Sequence, residues 1–278
     1  MTGAARGGKE LPETAGIGPS SLSWHEPASL RASGGRWEVL RRGFLGRPVL
    51  TVAPALLGCV LAHESADGLV AAEIVEVEAY RGESDPASHA YRGKTPRNAV
   101  MYGEPGHAYV YFTYGMHFCV NLVCQQPGEA AAVLLRAGRV VEGVELAARR
   151  RGARPVPVRS VAARTVAGRA VAARAVADRA VAGRAVADRE LARGPARLCQ
   201  ALAIGRAQNG ADACDPASSL RVLGPAGFDG LPSDAISSGP RVGVRLGADA
   251  PWRFWVTGEP AVSAYRPYVP KLRGNSSR

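Results

Sequence analysis

The run LVAAEIVEVEAY (residues 69–80) constrains the fold more than any other part of the chain. Its β-branched residues and period-two alternation predict a strand. In EVEAY, Val75, Val77 and Ala79 are expected on one face, with Glu76, Glu78 and Tyr80 on the other. AYVYFTYGMHFCVNLVC (108–124) predicts two further strands joined near Tyr114–Gly115, and AAVLLRA (131–137) a third. Between them, residues 81–107 are dense in Gly, Pro, Asp, Ser and Asn. They predict a long loop with one short helix after Thr95–Pro96. A loop of that length inside a compact domain is more often functional than idle.

Elsewhere the pattern is weaker. TVAPALLGCVLA (51–62) fits a helix or a strand, and VVEGVELAARRR (140–151) has helical spacing. GPARLCQALAI (194–204) predicts a helix with Pro195 in its first position, while RVGVRL (241–246) and WRFWVTG (252–258) predict two closing strands. Residues 1–36 are rich in Gly, Ser, Pro and Ala and are expected to be a disordered tail. The domain is expected to span 37–268, with a low-complexity insertion at 149–189 and a flexible end at 269–278.

The formal net charge of +11 is concentrated in that insertion. Residues 149–197 carry thirteen arginines against Asp178, Asp188 and Glu190, so the rest of the chain is close to neutral. Arginines recur every five residues from Arg159 to Arg189. On a helix each step of five turns about 140° past a full turn, so these side chains would spiral over all faces and form no stripe to bury. We read the repeat as a solvated insertion. Its charge favours polyanions without proving nucleic-acid binding.

Cys59, Cys119, Cys124, Cys199 and Cys214 form no CxxC pair and no zinc-type spacing. Their odd number and the absence of a secretory leader favour a reduced, cytoplasmic protein, and the cysteines read as small buried hydrophobes. No apolar run has the length of a membrane span, so no membrane association is expected.

The chemistry-bearing residues cluster in 76–121. Glu76 and Glu78 on one strand face lie about 6.6 Å apart. That spacing fits the acid and base of an inverting glycoside hydrolase or nucleosidase. It also fits a single carboxylate activating water beside a structural partner, or merely a solvated face. His89 follows in the loop. Tyr80, Tyr109, Tyr111 and Tyr114 exceed what one core face requires, since buried tyrosines need hydrogen-bond partners. Such rings can stack a nucleobase.

IVEVEAYRGESDPASH, TPRN, PGHAYVYFTYGMHFCVN, VLLRA and GPARLCQALAI, followed by RVGV and PWRFWVTGEPAVS, closely resemble the alkyladenine (3-methyladenine) DNA glycosylases. The likeness covers residues 40–149 and 187–265 and leaves out the tail and the Arg repeat. It implies a single mixed α/β (α+β) domain around a curved antiparallel sheet, with a β-hairpin that inserts into the DNA minor groove. It also implies a monofunctional hydrolase of base excision repair. Such an enzyme flips alkylated or deaminated purines from duplex DNA and leaves an abasic site, acting as a monomer without metal or cofactor.

By the same resemblance Glu78 is the general base, and Arg136 positions it or the water. Tyr80, His89 and Tyr111 wall the base pocket, and Asn121 meets the base edge and disfavours guanine. Tyr114 fills the gap left in the duplex and Met116 lies in the groove. Lys94 and Arg97, with Arg92, are candidate phosphate contacts. His117 stands where some members carry an aromatic residue. The rival expectations are a glycoside hydrolase using Glu76 and Glu78, and a non-catalytic nucleic-acid-binding module carried by the Arg repeat.

Overall fold

The sheet is built outward from one long strand. The computed structural model describes residues 36–113, 115–152 and 188–270. The expected tail, almost all of the Arg insertion, Tyr114 and the end of the chain therefore lie outside the described residues.

The chain begins with β1 (Trp37–Val39), α1 (Arg42–Leu45) and α2 (Val49–Ala55). TVAPALLGCVLA thus resolves into both alternatives. Helix α2 ends, the backbone turns through Gly58 at φ 85°, and β2 (Val60–Ser65) follows. Next come β3 (Gly68–Arg81), β4 (Ala108–Thr113), β5 (His117–Cys124) and β6 (Ala131–Glu142). Then follow α3 (Val144–Arg150), α4 (Pro195–Ala201), β7 (Leu220–Pro225), β8 (Ile236–Gly239) and β9 (Arg253–Val256). The loop between β3 and β4 carries short 3₁₀ turns at Gly82–Ser84 and Ala99–Tyr102, the second being the turn expected after Thr95–Pro96. Pro195 opens α4 as expected.

All pairings among these strands are antiparallel, in the order β1-β7-β2-β3-β6-β5-β4, with β8 and β9 branching from β3. Strand β3 pairs with β6 along nearly its whole length. On its other edge β2 pairs with Gly68–Glu73, and β9 takes over at Glu76–Glu78. One side of the sheet is covered by α2, α4 and the apolar face of α3, making the main core with Val70, Ile74, Val77, Val110, Val120, Leu122, Val133 and Leu135. The other side carries a smaller cluster of Ala90, Met101, Tyr109, Val123, Ala130 and Ala132 under the β3–β4 loop. The described residues form one α+β unit around this sheet.

Three details differ from the sequence reading. Val75 does not share a face with Val77 and Ala79. The β3–β6 register slips on both sides of Glu76, leaving Val75 and Arg136 as the extra residues. Each slip is a β-bulge, where two consecutive residues face one way. Val75 packs with Ala137, Ala261 and Val262, away from the main core that holds Ile74 and Val77. Second, Val140–Glu142 extend β6, and the helix starts only after Gly143, whose φ of 70° suits glycine. Third, RVGVRL is a loop. Arg241 is withdrawn into an ion pair and Gly243 has φ 69°, a left-handed conformation that breaks a strand. Strands β1, β7 and β8 had no clear sequence signal.

Candidate active site

The bulges put charge where a regular sheet would bury apolar groups. Glu76 and Glu78 are both fully buried on the face away from the main core, and Arg136 is buried between them. Arg136 Nε donates to Glu76 Oε1 at 2.7 Å, and its Nη1 lies 3.2 Å from Glu78 Oε1.

The two carboxylates have different surroundings. Glu76 Oε1 also accepts from Arg253 Nε at 2.8 Å and from Ser263 Oγ at 2.9 Å, while Oε2 accepts from the Ser263 amide at 2.7 Å. Burial alone would raise this carboxyl. Arg136, Arg253 and the Ser263 amide outweigh it and hold the group below the ordinary carboxylate range. Glu78 instead accepts from the Tyr80 hydroxyl at 2.8 Å on Oε2 and from the Val242 amide at 2.7 Å on Oε1. Two carboxylates and two guanidiniums balance in charge, as buried ions must. Glu76 is thus a buried structural anion with its oxygens saturated. This removes the geometric basis for an acid–base pair made of Glu76 and Glu78.

Tyr80 and Arg136 line a cavity of about 510 Å³, and Glu78 sits behind the wall they form. The opposite wall is aromatic. His89 stands edge-on to Tyr111 with centroids 4.5 Å apart, and Tyr109 lies 5.5 Å from Tyr111. The Tyr109 hydroxyl meets His89 Nδ1 at 3.0 Å. Burial first, then the Arg97 charge, lowers the His89 pKa and favours neutral imidazole. Burial, then the Glu78 charge, pushes the Tyr80 hydroxyl well above its usual range, so it remains a donor. Asn121, opposite Tyr109 in the β4–β5 register, donates its amide to the Tyr109 carbonyl at 3.0 Å and lines the cavity.

Asn98 holds the part of the loop beyond His89. Asn98 accepts from the Thr95 amide at 2.6 Å and donates to the carbonyls of His89 and Gly93 at 2.9 and 3.0 Å. A long polar loop is thereby held around His89.

Of the expected site residues, Glu78, Arg136, Tyr80, His89, Tyr111 and Asn121 converge on this one cavity. Met116 stands apart, 68% exposed in the β4–β5 turn beside Gly115 at φ 67°. Tyr114 lies outside the described residues. Arg97 is exposed, 5.9 Å over the Tyr111 ring, and Lys94 is exposed 5.5 Å over the Tyr102 ring. His117 lines the cavity too. Sequence reasoning missed Arg253 and Ser263, which hold Glu76, and Val242, whose backbone amide holds Glu78. An arginine inside the apolar run WRFWV was an available signal for the first. A backbone donor has no side-chain signature.

Residues 43–260 match the family model described as methylpurine-DNA glycosylase. A protein of Streptomyces avermitilis named "Putative 3-methyladenine DNA glycosylase" is 47% identical over 235 residues, covering 84% of this chain and 95% of that protein. Proteins of the same name from Leifsonia xyli and Frankia casuarinae are 49% and 44% identical, over 78% and 81% of this chain and 88% and 92% of their own lengths.

Proposed function

The chain belongs to the methylpurine-DNA glycosylase family, and on that premise we propose how its site works. The protein is a DNA glycosylase of base excision repair, a hydrolase of the N-glycosidic bond. Its substrate is an alkylated or deaminated purine extruded from duplex DNA, and it acts as a monomer in the cytoplasm. No described helix is long and apolar enough to cross a membrane.

The observation that carries the mechanism is the placement of Glu78, pinned by Tyr80, Val242 and Arg136 behind an aromatic cavity. A flat base enters between Tyr80 and the Tyr111–His89 wall, where each stacked ring contributes about 1–3 kcal/mol. A cationic alkylpurine gains further from the tyrosine faces. Asn121, held to the Tyr109 carbonyl, excludes the extra amino group of guanine by bulk. Water held by Glu78 and Arg136 attacks C1′ as the bond to the base breaks. Its proton passes to Glu78, and the base departs with the bonding electrons. The Glu78 anion stabilises the oxocarbenium-like sugar.

Met116, in the β4–β5 turn, and Tyr114, two residues before it in the sequence, enter the minor groove and offset the cost of unpairing. Arg97 and Lys94, both exposed, contact phosphates. Incubation with duplex DNA bearing hypoxanthine, followed by hot alkali, tests the reading. Breaks only after alkali are expected. Binding without breaks would indicate a non-catalytic module, and hydrolysis confined to free nucleosides would indicate a nucleosidase.

A further inference from the structure

A second buried ion pair, outside the Glu76–Arg136–Glu78 cluster, has no part in the mechanism above. Arg241 and Asp85 are each almost wholly buried and come from segments 156 residues apart in the chain. Arg241 donates to Asp85 through both terminal nitrogens, at 2.5 and 2.9 Å, and to the Ala79 carbonyl at 3.0 Å. Its guanidinium lies 4.8 Å from the Tyr80 ring centroid and 5.0 Å from that of Trp252. Asp85 also accepts from the amides of Arg81 at 3.1 Å and Ala87 at 3.0 Å.

These contacts converge on three parts of the site. Arg241 backs the Tyr80 ring. It immediately precedes Val242, whose amide is fixed on Glu78 Oε1. Asp85 fixes the turn that leads to His89. A pair placed only for stability has no reason to touch all three. We propose that Arg241 and Asp85 form a positioning latch for excision, holding the Val242 amide on Glu78 and setting the gap between Tyr80 and the His89 wall. The latch rests on the reading of Glu78 as the base.

Lysine at 241 would keep the charge but lose both the two-pronged bond and the flat face against Tyr80 and Trp252. In Arg241→Lys residue 241 stays cationic, so a slower rate at unchanged DNA affinity reports the lost placement of the Val242 amide on Glu78.

The test is single-turnover excision of hypoxanthine from duplex DNA, per active molecule counted by tight binding to an abasic-site duplex. Arg241→Lys should be slower by about 30-fold, in the range expected when a reacting group is misplaced. Affinity for the abasic duplex, which rests on backbone contacts, should stay within about threefold. Asp85→Asn, which keeps the shape of the turn, should slow excision in the same way at unchanged abasic-duplex affinity and serves alone where Arg241→Lys does not fold. A lower melting temperature with a wild-type rate per active molecule overturns the latch. Glu78→Gln is run alongside. Its loss of activity beside an unaffected Arg241→Lys overturns the latch only, whereas an active Glu78→Gln overturns the underlying reading and the latch with it.

Discussion

The Tyr80 hydroxyl donates to Glu78 Oε2 at 2.8 Å, so the residue proposed to stack the base also orients the carboxylate two positions before it. Period-two geometry makes this possible: past the bulge at Val75, residues 76, 78 and 80 all face the cavity side. Tyr80→Phe keeps the ring but leaves a buried carboxylate oxygen one donor short. We expect it to lower stability by about 1–3 kcal/mol, the usual cost of a buried group losing its partner. Excision should slow while affinity for lesion DNA stays near wild type. An unchanged excision rate per folded molecule would confine the hydroxyl to a structural role.

The two strand glutamates should separate in opposite ways. Glu78→Gln preserves shape and reach but cannot take a proton, so excision should be abolished with lesion binding retained. Glu76→Gln strands Arg136 and Arg253 beside a neutral amide. It should cost about 3–5 kcal/mol of stability, as breaking a buried pair does, while each folded molecule still excises. Chemical denaturation and single-turnover rates distinguish the outcomes. Equal loss of rate per folded molecule in both variants would revive the paired-carboxylate mechanism.

That contrast was only half legible in the sequence. The alternation of 69–80 and the tyrosine-rich hairpin announced β3, β4 and β5, because period two and aromatic content are local signals. What makes Glu76 structural comes from elsewhere: Arg253 on β9 and Ser263 beyond it reach the carboxylate across more than 170 residues. The bulges at Val75 and Arg136 exist only in the pairing of two strands, so no single segment displays them. RVGVRL misled because its alternating valines mimic a strand, whereas Arg241 is committed to Asp85 and cannot lie in a ladder. Strands β1 and β8 are three and four residues long, too short to show a period.

Stability should depend on His89 below neutral pH. Burial, then Arg97, lowers its folded pKa from the ordinary value. An unfolded histidine titrates near about 6.5. The folded site resists a proton that the unfolded chain accepts, so its contribution is complete above about 6.5 and declines as pH falls toward the lowered folded value. His63, lowered chiefly by burial against an opposing bond to Leu202, shares the same sign. Melting temperatures at pH 7 and pH 5 should therefore drop less in His89→Gln than in wild type. Equal drops would show that His89 does not titrate in this way.

Tyr114, from its place in the hairpin sequence, is expected to fill the gap behind a flipped nucleotide. Its benefit then scales with the cost of unpairing, which mismatches reduce. Tyr114→Ala should slow excision more from well-paired lesion duplexes than from mismatched ones, as single-turnover rates on the two would reveal. A uniform loss would mark the residue as part of the hairpin's own packing.

Replacing residues 155–187 with a short Gly-Ser linker should leave the fold and single-turnover excision intact. The segment's flanks have their own anchors: Arg150 donates to the Ala201 carbonyl at 3.1 Å, Gln200 donates back to the Arg150 carbonyl at 2.9 Å, and Glu190 pairs with Arg193 and Arg197. The period-five spacing of the arginines gives them no common face to bury. Non-specific DNA affinity should nevertheless fall and depend less on salt. Each arginine that neutralises a phosphate adds about −0.9 to the slope of log affinity against log salt, so engagement of only some of them flattens the slope by a few units. Titrations of undamaged duplex across a salt series measure this directly. An unchanged slope would make the repeat a bystander to DNA binding, and a lost thermal transition would place it inside the cooperative fold.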